Sequence, residues 1–267
     1  MEFTAEDIKK ALISEVSDIG KEIVILEEVE STNTVANELL KIGYPSGTVV
    51  IANKQLKGKG RLGRAWISPA DKNIYLSIGI KPNFPPKYAT LLTLTSTVAC
   101  TLALRRFTDI PVTIKWPNDM LINNKKVGGI LTEMKTEAER IKSAVVGIGI
   151  NVNMDETDFP EEIKDIATSL KIHKGKIISR ALLIVEVLKE FDKWYQLLEK
   201  TKRKEIIDSW IELSGTIGRQ VKIVLSERQQ LVGIAEAIDE EGRLILKLSD
   251  GAYEKISAGD VILLRAN

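Results

Sequence analysis

Short apolar runs dominate the chain, each closed within a few residues by glycine, proline, asparagine or charge. That punctuation restricts the chain to a fold built on a β-sheet. Residues 23–26, 49–52 and 74–81 are short for helices and rich in β-branched side chains, so they read as strands. Residues 113–115, 120–122, 127–133 and 144–153 continue the pattern, with Asn123-Asn124 as a hairpin turn. Helices intervene. Residues 4–17 put Ile8, Leu12 and Val16 at helical spacing. Ser31 or Thr32 offers an N-cap before Val35, Ala36, Leu39 and Leu40, and Gly43 closes that helix. Pro82, Pro85 and Pro86 end the third strand, and beyond them Leu91, Leu94, Val98 and Leu102 share one face of a threonine-rich helix. Its hydroxyls are expected to bond back to the preceding turn. Two further helices are expected at 179–199 and 203–213.

After Gly215 the texture changes to strands at 221–225, 231–237, 244–248 and 261–264. Turns at Ser226-Glu227, 239–242 and Asp250-Gly251 separate them. The expectation is an α+β protein: a mixed sheet with helices packed on it over residues 1–216, and a small all-β module over 217–267. About 50 residues make a small core, so the module is expected to pack on what precedes it.

Composition narrows the chemistry. With 44% hydrophobic and 28% charged residues the chain of 267 residues folds, and a net charge of +1 argues against a mainly nucleic-acid-binding or membrane-surface protein. Its lone cysteine, Cys100, forms no internal disulfide, and its lone histidine, His173, reads as an exposed loop residue without a role. The N-terminus carries Glu2, Glu6 and Asp7 and no apolar leader, and the longest uncharged stretch, 88–104, is shorter than the roughly 20 residues a span needs. A cytoplasmic protein with no membrane partner is expected.

Gly58-Lys59-Gly60-Arg61-Leu62-Gly63 satisfies G-x-G-x-x-G, but the dinucleotide reading needs a helix next and an acid about 20 residues on. Here Arg64-Ala65-Trp66-Ile67-Ser68-Pro69 follows, and Lys81-Pro82-Asn83 stands where the acid belongs. Gly63-Arg64-Ala65 fails the Walker A pattern, and no His-Arg-Asp supports a kinase loop. What remains is Lys54, Lys57, Lys59, Arg61 and Arg64 within eleven residues that hold no acid, interleaved with glycines. Such a loop suits a small anion; a solvated basic turn or a nucleic-acid patch is the plainer alternative. Polar groups also end two strands: Asn118 and Asp119 in Lys115-Trp116-Pro117-Asn118-Asp119, and Asn151 in Ile148-Gly149-Ile150-Asn151. Asp119 is a candidate to help hold Mg²⁺, whereas Trp116 reads as core.

Together, five segments in order resemble the biotin–protein ligases. They are Glu30-Ser31-Thr32-Asn33; Gln55 with Gly58 to Pro69; Lys115 to Asp119; Lys125-Lys126-Val127-Gly128-Gly129-Ile130-Leu131 with Glu133; and Gly147 to Asn151. The terminal module resembles that family's SH3-like barrel. The resemblance implies an ATP-dependent ligase that makes biotinyl-5′-AMP and transfers biotin to a lysine of a carboxylase carrier domain, with Mg²⁺ accompanying ATP. It implies Arg61 and Lys126 as the charge-stabilising pair. Ser31, Thr32, Asn33, Gln55, Gly58, Lys59, Gly60, Arg61, Lys126 and Gly129 would meet biotin. Lys59, Arg61, Trp66, Asn118, Asp119, Lys126 and Asn151 would meet ATP, with Trp66 packed on adenine. Lys59 stands where the family usually has arginine, which keeps the charge and loses the planar fork. Arg64 is expected in a structural ion pair.

The same resemblance implies a possible homodimer and a loop at 58–65 that ligands order over the intermediate. Only 30 residues precede Ser31, so the ligase-only type, without DNA binding, is expected. A lipoate–protein ligase is the nearest alternative reading, and a noncatalytic biotin-binding regulator is another.

Overall fold

A computed structural model describes residues 3–12, 15–225 and 229–264. The first helix, α1 (Ala5–Leu12), is shorter than its periodicity suggests; residues 13 and 14 lie outside the described residues. Beyond it the backbone N–H groups of Ser17, Asp18 and Ile19 all donate to the buried Asp192 carboxylate, at 2.9, 3.0 and 3.1 Å. That anchorage takes Val16 off the helix and aims the chain into the sheet.

Seven strands form this sheet: β1 (Ile23–Val29), β2 (Thr48–Gln55), β3 (Ile74–Ile80), β4 (Thr113–Lys115), β5 (Asp119–Ile122), β6 (Lys125–Glu137) and β7 (Arg140–Ile150). Their spatial order is β1-β2-β3-β7-β6-β5-β4. Only β1 and β2 run parallel, joined by α2 (Thr32–Lys41); every other pairing is antiparallel. The β5–β6 turn is the expected Asn123-Asn124, both left-handed at φ 50 and 63.

Because side chains alternate along a strand, each face of the sheet has its own core. On one face Val49, Ile51, Leu76, Ile78, Val146, Ile148 and Ile150 meet α3 (Ala89–Thr108), α5 (Arg180–Glu199) and α6 (Arg203–Leu213). Helix α3 is long and apolar enough to cross a membrane, yet most of it is buried inside this core. Ser96, Thr97 and Thr108 donate to the carbonyls of Leu92, Thr93 and Leu104, the back-bonding expected of hydroxyls in a buried helix. On the opposite face α2 packs Ala36 and Leu40 on Val50 and Val145 and covers only part of the sheet.

A short helix, α4 (Leu170–Lys174), was not anticipated by the sequence reading. It corrects the reading of His173, which is exposed but helical, with Nε2 3.0 Å from Thr168 Oγ1.

The second sheet is antiparallel, built from β8 (Gln220–Val224), β9 (Gln230–Ile238), β10 (Leu244–Leu248), β11 (Tyr253–Ile256) and β12 (Asp260–Leu263) in the order β11-β10-β9-β8-β12. Strand β11 escaped the sequence reading because it is an edge strand with only Ile256 buried. The turn expected at Ser226-Glu227 lies outside the described residues. Val221, Ile223, Leu244 and Leu246 join the main core rather than forming their own. Gly215 N donates to Ile114 O (2.8 Å) and Trp116 N to Thr216 Oγ1 (3.0 Å), so the strand that leads to Asn118 and Asp119 is pinned at the junction of the two sheets. Trp116 is fully buried there, as expected.

Candidate active site

Where α2 stops covering the sheet, the exposed face carries glycines. Gly147 and Gly149 alternate along β7, and Gly129 pairs with Gly149 from β6. A Cβ on Gly149 would lie 2.6 Å from Trp66 Cε2, and one on Gly147 would lie 2.2 Å from Asn33 Oδ1. The missing side chains let an indole lie flat on the strand and let an asparagine reach through it. Above this floor is a cavity of about 880 Å³, walled by the start of α2, residues 59–67, β6 and the β12 edge of the second sheet.

One end of the cavity is uncharged at its surface. Ser31 holds the N-cap position of α2 in extended backbone (φ −159, ψ 134) but makes no side-chain capping bond, contrary to the sequence expectation. The first-turn N–H of Thr32 donates instead to Gln55 Oε1 at 2.9 Å, and Thr32 Oγ1 lies 3.1 Å from the same oxygen. Gln55 Nε2 donates to Ser68 Oγ (3.0 Å), whose hydroxyl donates to Trp66 O (2.9 Å). Below them Ser77 Oγ, fully buried on β3, lies 2.7 Å from Thr32 Oγ1 and 2.6 Å from Asn33 Oδ1. Asn33 Nδ2 donates to Glu133 Oε2 at 2.7 Å. Ser31, Thr32 and Asn33 are each 3% exposed, so all three belong to the wall itself.

The other end is cationic. Residues 58–66 form a tight turn: Trp66 N donates to Gly58 O (2.8 Å) and Gly60 N to Arg64 O (2.7 Å). Leu62 and Gly63 at its tip are left-handed (φ 56 and 74). The half-buried Arg61 is held by two acceptors, Nη1 donating to Asn118 Oδ1 (2.9 Å) and Nη2 to Gly259 O (3.2 Å). Burial lowers the guanidinium's pKa, opposed by the charges of Asp260 and Asp119; an arginine remains protonated regardless. Lys126 Nζ lies 2.6 Å from Asp119 Oδ1 and 5.4 Å above the Trp66 ring, while Lys115 Nζ takes Asp119 Oδ2 at 3.0 Å. Burial works against the ionised Asp119, but the two ammonium groups outweigh it and hold its carboxyl below the usual range. The Trp66 indole N–H lies against Gly149 and has no hydrogen-bond partner among the described residues.

Ser31, Thr32, Asn33, Gln55, Lys59, Gly60, Arg61, Trp66, Asn118, Asp119, Lys126, Gly129 and Asn151 all line this one cavity. Gly58 does not: it sits under the Trp66 carbonyl, where a Cβ would come within 2.3 Å, so its role is to let the turn close. Asn118 and Asn151 are struts as well as lining. Asn118 Nδ2 donates to Ile130 O (2.8 Å) and Asn151 Nδ2 to Thr168 O (3.0 Å). Lys59 is exposed and donates to Thr34 Oγ1 (3.2 Å), tying the turn to α2. Arg64 forms the expected ion pair, with Asp260 of the second sheet.

Asp119 does not fit a resident metal ion. Both its oxygens are taken by lysines, and among the described residues no group of three His, Cys, Asp or Glu side chains is placed to hold a metal. Four positions received no role from the sequence: Ser77, Glu133, Gly147 and Asp260. Glu133 and Gly147 stand inside the quoted motifs, but their partners are fixed by strand register. Asp260 lies about 200 residues from the turn it holds, as the 196-residue separation from Arg64 records.

A family model described as Biotin/lipoate A/B protein ligase family matches residues 25–151, and one described as Biotin protein ligase C terminal domain matches 216–264. The bifunctional ligase/repressor BirA of Bacillus spizizenii is 38% identical over 257 residues, covering 96% of this chain and 78% of that protein. The biotin–[acetyl-CoA-carboxylase] ligase of Mycobacterium tuberculosis is 33% identical, covering 82% of this chain and 80% of its own length. A solved biotin protein ligase from Aquifex aeolicus, in complex with biotin and ATP, matches with a TM-score of 0.78 at 32% identity, covering 92% of this chain and 100% of that one.

Proposed function

This chain belongs to the biotin–protein ligase branch of the biotin/lipoate ligase family, and from that premise we propose how its cavity makes and transfers biotinyl-5′-AMP. The observation that carries the reading is one cavity with an uncharged hydroxyl–amide end and a doubly cationic end, joined by an indole on a glycine floor. The uncharged end takes the ring of biotin: Thr32 and Gln55 offer oxygen acceptors to its N–H groups. The biotin carboxylate points to Lys126 and Arg61, and the ATP α-phosphate lies beside it, with the adenine against Trp66.

The carboxylate oxygen attacks the α-phosphorus. As the new P–O bond forms, the bond to the bridging oxygen breaks and pyrophosphate leaves. Negative charge builds on the phosphoryl oxygens, and fixed cations stabilise it without reorganising. Asn118 and Asp119 act here by position. Consecutive in the chain, one orients the Arg61 guanidinium and the other the Lys126 ammonium. Both Asp119 oxygens are paired with lysines, so Mg²⁺ would be held mainly by the nucleotide's own phosphates and would add its charge to that of Lys126 and Arg61. In the second step the amine of a carrier lysine attacks the acyl carbon, loses a proton, and AMP leaves. We assign the carrier to the biotin-bearing domain of a carboxylase, the substrate class named for the Mycobacterium relative.

The test is pyrophosphate release from ATP with biotin, lipoate or octanoate. Biotin-dependent release is expected, falling by about 100-fold or more in Lys126→Ala and in Arg61→Ala, the size of effect seen when one preorganised charge stabiliser is removed. Release with lipoate alone would move the chain to the sister activity. Tight biotin binding with no release from any acid would leave a regulator without chemistry.

A further inference from the structure

Glu133 lies behind the cavity wall and outside its lining, yet the polar contacts of the uncharged end terminate on it. Following the protons along that chain gives it a purpose. A carboxylate only accepts hydrogen bonds, so Asn33 turns its NH₂ to Glu133 at 2.7 Å, with the Leu131 carbonyl a longer second acceptor at 3.4 Å, and its carbonyl oxygen to Ser77. At the far end the backbone N–H of Thr32 fixes Gln55 with its oxygen facing Thr32 and its NH₂ facing Ser68. Between these two acceptors stand the hydroxyls of Thr32 and Ser77. Three oxygen–oxygen contacts therefore run in series, Gln55 to Thr32, Thr32 to Ser77 and Ser77 to Asn33, at 3.1, 2.7 and 2.6 Å. Two hydroxyl protons serve three contacts. One contact is always without a proton, and unpaired oxygen atoms at hydrogen-bond distance repel.

The two inner contacts are buried and the shorter; the outer one, between Thr32 and Gln55, borders the cavity. Thr32 can donate outward to Gln55 or inward to Ser77; an N–H arriving at Thr32 and Gln55 selects the placement with both protons directed inward, Thr32 to Ser77 and Ser77 to Asn33, because only that placement puts the gap where a ligand can fill it. We propose that Glu133 is a positioning residue that sets substrate specificity: it keeps this wall one proton short, so the acid that completes it must bring an N–H donor. A cyclic urea supplies one; a dithiolane or an alkyl chain does not. This rests on the ligase reading above and adds to it the reason one ring is preferred over another.

The proposal makes an isosteric change informative. In Glu133→Gln the new amide can donate to Asn33 Oδ1, Asn33 then turns over and donates to Ser77, Ser77 to Thr32, and Thr32 to Gln55. Every contact of the series from Gln55 to Glu133 is filled, at the loss of only the long 3.4 Å bond from Asn33 to Leu131 O, and the surface pair no longer seeks a donor. Biotin binding, measured by calorimetry on the full chain, is expected to weaken about tenfold, the loss appearing in KM for biotin rather than in kcat. Moving the carboxylate one residue along the chain, in Glu133→Gln combined with Asn33→Asp, recreates an acceptor-only terminus facing Ser77. That pair is expected to recover most of the loss, which a merely structural role would not permit. Ser77→Ala reaches the same end independently, because it frees the Thr32 proton for Gln55, and it too should weaken biotin.

Unchanged biotin affinity in folded Glu133→Gln, or no recovery in the folded double variant, overturns the proposal. Should the glutamine variant not fold, unchanged affinity in Ser77→Ala overturns it equally. Failure of the wild-type chain to release pyrophosphate with biotin would instead overturn the ligase reading.

Discussion

The two ends of the cavity are built from opposite materials. The uncharged end is a lattice of hydroxyls and amides almost closed to solvent, with Thr32, Asn33, Gln55 and Ser77 bonded to one another across the sheet and α2. The charged end is half open, and two of its holding contacts, Gly259 O on Arg61 and Asp260 on Arg64, come from the second sheet. Recognition of a small neutral ring needs donors and acceptors fixed to a few tenths of an ångström, which a buried lattice provides. Handling a charged, departing phosphate needs strong fields and an exit, which held cations at the half-open junction of the two sheets provide.

That contrast breaks most visibly when one residue is removed from each end. Lys126→Ala should lower kcat for adenylation by about 100-fold or more with a smaller change in biotin KM. Gln55→Ala should do the reverse, raising biotin KM about tenfold, because it leaves the Thr32 N–H unpaired in the wall. Stopped-flow pyrophosphate assays over a biotin titration separate the two; equal effects on both constants at both ends would erase the distinction. Gly149→Val pushes a side chain into the indole, so ATP affinity should fall about tenfold while biotin alone still binds by calorimetry.

Smaller effects sharpen the comparison. Asp119→Asn loses the partner of two partly exposed lysines and should cost about 1–2 kcal/mol of stability at pH 7, less than for a fully buried pair. The folded-state pKa of Asp119 lies below its unfolded value, so this contribution is complete above about pH 5 and is lost as pH falls through the unfolded and then the folded value. Urea unfolding of the wild type and Asp119→Asn should therefore converge under strong acid and separate at neutral pH. Asp260→Asn removes an ion pair whose arginine side chain is 69% exposed. Its effect on stability should stay below about 1 kcal/mol, with a change of about threefold or less in ATP KM.

The sequence exposed what local chemistry decides and hid what register decides. The strands from β1 to β7, helix α3 and the Asn123-Asn124 hairpin were legible because periodicity and turn residues act over a few positions. The path of the chain after α1 was not, because Asp192 holds the backbone of Ser17, Asp18 and Ile19 from 173 residues beyond Ile19. Nor was β11, whose exposed Tyr253, Glu254 and Lys255 give no apolar alternation. Within the site, Arg61, Lys126 and Gln55 stood out by motif. Ser77 and Glu133 did not: their partners lie 44 and 100 residues away at Asn33, joined only by the pairing of β3, β7 and β6. Residue type and a place at a strand end make Asp119 a candidate to help hold Mg²⁺; what they do not reveal is that strand pairing brings two lysines to its two oxygens.

The glycine floor also limits how this cavity can be remodelled. A pocket lined by side chains can be deepened by trimming them, but nothing smaller than glycine exists, and the peptide groups at Gly129, Gly147 and Gly149 are already committed to the strand ladder. Depth under the indole is therefore at its maximum, and natural or laboratory selection for bulkier acids has only the walls to work with: Leu131, the first turn of α2, and the β12 edge. Selection for thinner ligands meets its own limit on this floor, since a methyl added at Gly147 or Gly149 collides with Asn33 or Trp66 before it meets a ligand.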